Sequence, residues 1–73
     1  MNEKSLTDLC SEYIETVYKY LLSMCRHRET AEDLTQETFT RAIIYLDKLK
    51  EETFLGWLLR IARNLYIDRW RKE

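Results

Sequence analysis

Arg60, Arg63, Asn64 and Arg71 are the residues whose types and spacing point most directly to chemistry. At helical spacing they share one side with Gly56 and Ile67, a strip rich in positive charge with one amide and little that a core would want. Guanidinium groups hold phosphates and aromatic rings stack on bases, so a strip of arginines with Tyr66 and Trp70 nearby fits a polyanion. A solvated helix face is the plainer reading of the same strip. A second strip, Asp33, Gln36, Glu37, Thr40 and Ile44, lies on the helix before it. Gln, Thr and a projecting Ile fit another protein's surface, although the pattern alone reads as readily as solvated.

Other reactive types form no constellation. His27 is the single histidine, between Arg26 and Arg28, with no carboxylate partner in a metal-binding or glycine-rich context. Cys10 and Cys25 fall on one helix, 15 residues apart. That places them roughly 22 Å from each other, too far for a disulfide and without zinc spacing, so both read as buried thiols. Neither a metal nor a cofactor is implied, and catalysis is a poor reading.

These side chains need elements to hold them. A first helix capped by Ser5 or Thr7 carries Leu6, Leu9, Cys10, Tyr13, Val17, Tyr20, Leu21 and Met24 at three-and-four spacing, and ends near Arg26–Arg28. A second opens at Thr30, with Asp33 completing a capping box. Its inward residues are Ala31, Leu34, Thr38, Ala42, Tyr45, Leu46 and Leu49, with Thr35 and Phe39 at the flank. Residues 48–52, KLKEE, form a charged loop. The third helix starts after Thr53 and buries Phe54, Leu58, Ile61, Ala62 and Leu65, flanked by Leu55, Leu59, Tyr66 and Trp70. Trp57 reads as core and Trp70 as partly exposed.

The expected fold is all-α, a compact three-helix bundle with a basic C-terminal helix. Proline is absent and glycine occurs once in 73 residues, so the tight turns of a sheet protein lack their usual residues. One domain of this size buries only about 60% of its unfolded surface. Apolar residues make up 45% and charged residues 34%, which argues against a disordered tail. The net charge of −1 hides an asymmetry: residues 1–52 sum to −4 and residues 53–73 to +3. No apolar run is long enough for a membrane span, and the start MNEKSLTDL has no signal core, so a cytoplasmic location without membrane insertion is expected.

The stretches AEDLTQETFTRA (31–42) and FLGWLLRIARNLYIDRWRK (54–72) resemble the second conserved region of bacterial RNA polymerase sigma factors, above all the extracytoplasmic-function (ECF) group. The resemblance covers nearly the whole chain. It implies that the second helix docks on the clamp coiled coil of the largest catalytic subunit of core RNA polymerase through Asp33, Gln36, Glu37, Phe39 and Arg41, with Thr40 and Ile44 on the same strip. It implies also that the loop and last helix engage the promoter minus-ten element, mainly its non-template strand, with an extruded base in a small pocket. Asn64 matches the asparagine at that pocket, Leu49, Lys50, Glu51 and Glu52 occupy the loop, Arg60 and Arg63 lie on phosphates, and Arg71 and Trp70 extend the DNA surface. Glu51 and Glu52 depart from the pattern, because they repel phosphate. An anti-sigma factor is an implied partner. A further helical domain reading the minus-thirty-five element is implied to lie outside this chain, which then reads as a fragment of a longer protein. The rival reading is a helical module gripping an acidic protein.

Overall fold

The computed structural model describes residues 6–49 and 53–72, as three helices with no strand among them. Helix α1 runs Leu6–Cys25, α2 runs Arg28–Ile44, and α3 runs Phe54–Lys72; a single 3₁₀ turn, Leu46–Lys48, follows α2. The expected three-helix bundle is what forms. Its core contains Val17 and Leu21 from α1, Ala31, Leu34, Phe39 and Ala42 from α2, and Trp57, Leu58, Ala62 and Leu65 from α3. Alanines at three of these positions let the helix axes approach closely, and the large side chains fill what remains.

Thr35 and Thr38 are also buried, and both hydroxyls are satisfied within α2. Thr35 Oγ1 donates to Ala31 O at 2.6 Å and Thr38 Oγ1 donates to Leu34 O at 2.7 Å. Among the described residues no buried side-chain polar atom lacks a partner. Tyr13, Phe54 and Trp57 form an aromatic row between α1 and α3, with successive ring centroids 6.0 and 6.2 Å apart. At the far end the Tyr66 hydroxyl donates to Met24 O at 3.3 Å, tying the last turns of α3 to the end of α1.

The helix ends depart from expectation in instructive ways. Helix α1 begins at Leu6, so Thr7 is already inside its first turn, and Ser5 lies outside the described residues. It stops where Arg26 takes a positive φ of 55° and its N–H bonds to Leu22 O at 2.8 Å, a left-handed C-terminal cap. Thr30 does not cap α2. The cap is His27, whose Nδ1 accepts the Thr30 N–H at 3.2 Å, with Thr30 Oγ1 2.9 Å from the same atom. The Thr30–Asp33 capping box therefore does not form, because α2 starts two residues earlier than Thr30.

Helix α2 also ends sooner than its apolar pattern suggests. Ile43 and Ile44 are 54% and 61% exposed, so the last turn gains little burial to hold it. The 3₁₀ turn that follows winds faster per residue than an α-helix, which half-buries Leu46 and Leu49 and leaves Tyr45 outside rather than inward. Thr53 caps α3 as expected: its carbonyl accepts the Trp57 N–H at 3.0 Å and its Oγ1 accepts the Gly56 N–H at 3.0 Å. A Cβ at Gly56 would come within 2.9 Å of that Oγ1, so the chain's one glycine makes room for the cap. Cys25 is half-buried rather than buried, its Sγ donating to His27 O at 3.4 Å; the side chain of Cys10 lies outside the description.

Candidate nucleic-acid and partner interfaces

Two outward surfaces carry the residues singled out above. On α3, Arg60, Arg63, Asn64 and Arg71 are all exposed, and Trp70 is 69% exposed. Helical geometry divides them. Asn64 follows Arg60 by four residues and precedes Arg71 by seven, so these three line up within about 40° of one another around the axis. Arg63 and Trp70, also seven apart, form a second row roughly 100° away. The first row borders α2 and the second leans toward α1, as the Tyr66–Met24 bond beside it requires.

Asn64 opens onto a hollow of about 270 Å³ where the end of α2 meets α3. Its walls are Trp57 and Ile61 with Leu65 from α3, and Tyr45 with Lys48 and Arg41 from the α2 side; Asp68 closes one end. This combines one amide, two cations, two aromatic rings and one carboxylate. An amide has both a donor and an acceptor to offer the pairing edge of a base. The exposed Tyr45 ring offers a π-face while Trp57, 3% exposed, belongs to the floor, and cations offset phosphate charge. The volume lies near the low end of small-ligand sites, ~300–1,000 Å³. Tyr45, Lys48 and Asp68 are absent from the residues expected at this site. The helical period points Tyr45 inward, and nothing in the residue spacing marks the change of winding that exposes it. Leu49 is half-buried below, and Lys50, Glu51 and Glu52 lie outside the described residues.

On α2, Asp33, Gln36, Thr40, Arg41 and Ile44 are exposed and Glu37 is partly so. Thr40 Oγ1 donates to Gln36 O at 3.0 Å. Arg41 reaches back to Glu37 Oε2 through Nη2 at 3.1 Å and Nε at 3.3 Å. Such an exposed i,i+4 pair contributes only about 0.3–0.5 kcal/mol, but it orders both side chains. Since Arg41 also lines the Asn64 hollow, it sits at the seam of the two surfaces.

Phe39 does not belong to the α2 surface. It is 8% exposed and part of the core, so it is corrected from a surface contact to a structural residue. Its position is about 70° from the centre of the buried stripe, and small neighbours at Thr35, Thr38 and Ala42 leave space for its ring. Ile43, which the spacing argument missed, is exposed beside the expected Ile44, and together they make an apolar step at the end of α2.

Among the described residues, no group of three or more His, Cys, Asp or Glu side chains could hold a metal. No helix among them is long and apolar enough to cross a membrane.

Comparison with known proteins places the chain in a family. The chain is 40% identical over 69 residues to the ECF RNA polymerase sigma factor SigM of Bacillus subtilis, covering 94% of this chain and 42% of that protein. It is 37% identical over 69 residues to the ECF RNA polymerase sigma factor SigE of Mycolicibacterium smegmatis, covering 94% and 27%. It is 36% identical over 73 residues to the ECF RNA polymerase sigma factor SigW of Bacillus subtilis, covering 99% and 39%. The chain thus spans less than half the length of each of these relatives. No solved structure matches it significantly. The family described as Sigma-70 region 2 matches residues 9–73, almost all of both surfaces and of the bundle that carries them, and the chain belongs to that family.

Proposed function

We propose that this chain is a transcription-initiation domain which lends promoter recognition to core RNA polymerase. The outer strip of α2, Asp33, Gln36, Glu37, Thr40, Arg41 and Ile44, docks on the clamp coiled coil of the largest catalytic subunit. Arg60, Asn64 and Arg71 hold the non-template strand of the minus-ten element, and the Asn64 hollow receives an unpaired base. An anti-sigma factor covering either surface would block it. The observation that supports this reading best is Asn64 standing exposed over a hollow walled by Trp57 and Tyr45, in line with two arginines.

The energetics set the division of roles. Extruding a base costs a few kcal/mol, and stacking on a ring returns about 1–3 kcal/mol per base. The balance is close to zero, so the domain needs phosphate contacts and attachment to the polymerase to hold an open strand. Arginines supply affinity for any sequence, and the amide supplies discrimination.

Fluorescence anisotropy with labelled single-stranded promoter DNA tests the DNA half. Asn64→Ala is expected to reduce preference at one base by about tenfold, the scale of one lost amide contact, while Arg60→Ala weakens all sequences alike and lowers the salt slope by about 1. Equal losses on every oligonucleotide for Asn64→Ala would remove its reading role. Wild-type binding to acidic proteins but not to DNA at low salt would favour the rival protein-interaction reading.

A further inference from the structure

Asp68 differs in kind from the other side chains of the Asn64 hollow, because it accepts hydrogen bonds and cannot donate them. Arg41 and Lys48 donate only, Trp57 has a single N–H to give, and Asn64 and Tyr45 do both. Asp68 follows Asn64 by four residues, so the two lie one above the other on α3, with Cβ atoms about 5–6 Å apart. Both are exposed. An aspartate in a hollow with two cations would ordinarily be half of an ion pair. Arg41 instead gives its guanidinium to Glu37, and Asp68 has no ion pair or hydrogen bond among the described residues. Its carboxylate is left open beside the amide.

We infer that Asp68 sets the identity of the extruded base: the hollow takes a base carrying an exocyclic amine, cytosine, adenine or guanine, and rejects thymine. The inference rests on the DNA half of the proposed function, to which it adds a residue and a class of base. Without Asp68 the hollow would offer mostly donors, which suit carbonyl oxygens, and thymine presents two of them on its pairing edge. The carboxylate reverses that preference. It accepts the amine N–H of cytosine or adenine while the Asn64 amide donates to the adjacent ring nitrogen. For guanine it accepts from the ring N–H and the amine together, and the amide donates to the oxygen. Thymine's one ring N–H on that edge sits between two carbonyl oxygens, so a carboxylate brought to it meets partial negative charge on both sides. A base seated over the hollow also takes water from the carboxylate, and an acceptor left without a donor is penalised. The hollow is open and Asp68 exposed, so the rejection stands at about tenfold, far below that of an enclosed polar site.

The test uses labelled single strands that carry cytosine, adenine, guanine or thymine at the position where Asn64→Ala loses its preference. The wild-type chain should bind the thymine strand most weakly of the four, by about tenfold against the best. Asp68→Asn keeps the size of the side chain and turns one acceptor into a donor. It should bring thymine to within about twofold of the best strand, with an unchanged circular dichroism spectrum. Asp68→Ala should also lose the thymine penalty. If both variants tighten all four strands by one common factor, the carboxylate acts only by repelling phosphates and the inference falls. Thymine bound as tightly as the best strand by the wild type, or an unchanged ranking in Asp68→Asn, would overturn it as well. If Asn64→Ala alters base preference while Asp68→Asn does not, the inference alone falls. If Asn64→Ala alters preference at no position, or the wild type binds none of the strands at low salt, the DNA half of the proposed function falls with it.

Discussion

His27 does at the start of α2 what serine, threonine, aspartate or asparagine does in most helices. Its Nδ1 accepts the Thr30 N–H, and its carbonyl accepts the Ala31 N–H at 2.9 Å. Histidine is not among the favoured caps, which is why the sequence pointed to Thr30 instead. His27→Ala should therefore lower stability by about 1 kcal/mol, whereas His27→Asn should keep the cap. In thermal denaturation that cost corresponds to a shift of about 4–8 °C for a domain of this size, with His27→Asn close to wild type. Identical losses for both variants would mean that the ring acts through packing and not as an acceptor. The neighbouring residue runs the other way. Because Arg26 holds φ at 55°, Arg26→Gly should raise stability by about 0.5–1 kcal/mol.

Each helix tells a different story about what spacing can reveal. In α3 the pattern held at its centre and loosened at its edges: Leu58, Ala62 and Leu65 are buried, Trp57 is core and the arginine strip lies outside, while Phe54 and Ile61 are half-buried and Trp70 is 69% exposed. Nineteen residues of unbroken periodicity, capped by Thr53, leave little room for another arrangement. In α2 the same reasoning placed Leu34, Thr38 and Ala42 correctly and failed at the margins. Periodicity gives the direction of a side chain but not its depth, so Phe39 at the flank was ambiguous until its small neighbours drew it inward. The 3₁₀ turn was not legible either, since the local change in winding that exposes Tyr45 leaves the residue pattern almost unaltered. The Asn64 hollow depends on that turn for Tyr45 and Lys48, and so only Asn64 could be named in advance. A direct contrast follows for α2. Phe39→Ala should cost about 3–5 kcal/mol in urea denaturation, enough to unfold much of a domain this small. Gln36→Ala, exposed on the same helix, should stay within about 0.5 kcal/mol of wild type while weakening polymerase capture. Loss of helix by circular dichroism in Gln36→Ala would sink the assignment of that strip to an interface.

At the scale of the molecule, the bundle separates its duties by charge and joins them by packing. The acidic balance lies in residues 1–52 and the basic balance in residues 53–73, so α3 attracts a polyanion that the rest of the chain tends to repel. Under the proposed function, repulsion from one part and attraction to another would orient the domain as it approaches DNA and would also limit its affinity when it acts alone. Attachment to the polymerase would supply the remainder by raising the local concentration of α3 around the promoter, without any new contact to DNA. The Asp33→Ala, Gln36→Ala double variant should then leave binding of the isolated chain to DNA unchanged, and weaken promoter-DNA capture only when core polymerase is present. Arg41→Ala should behave differently, because Arg41 belongs both to the Glu37 pair on the α2 surface and to the wall of the Asn64 hollow. Its removal should weaken the isolated chain on DNA and also the capture of polymerase. In a double-mutant cycle with Asn64→Ala, read on DNA alone, the two losses should fall short of adding by at least about 0.5 kcal/mol, as expected for residues sharing one hollow. Strict additivity would mean that Arg41 and Asn64 act on DNA independently, and no loss on DNA alone for Arg41→Ala would place Arg41 with the polymerase surface only, the two interfaces then sharing a scaffold but no residue.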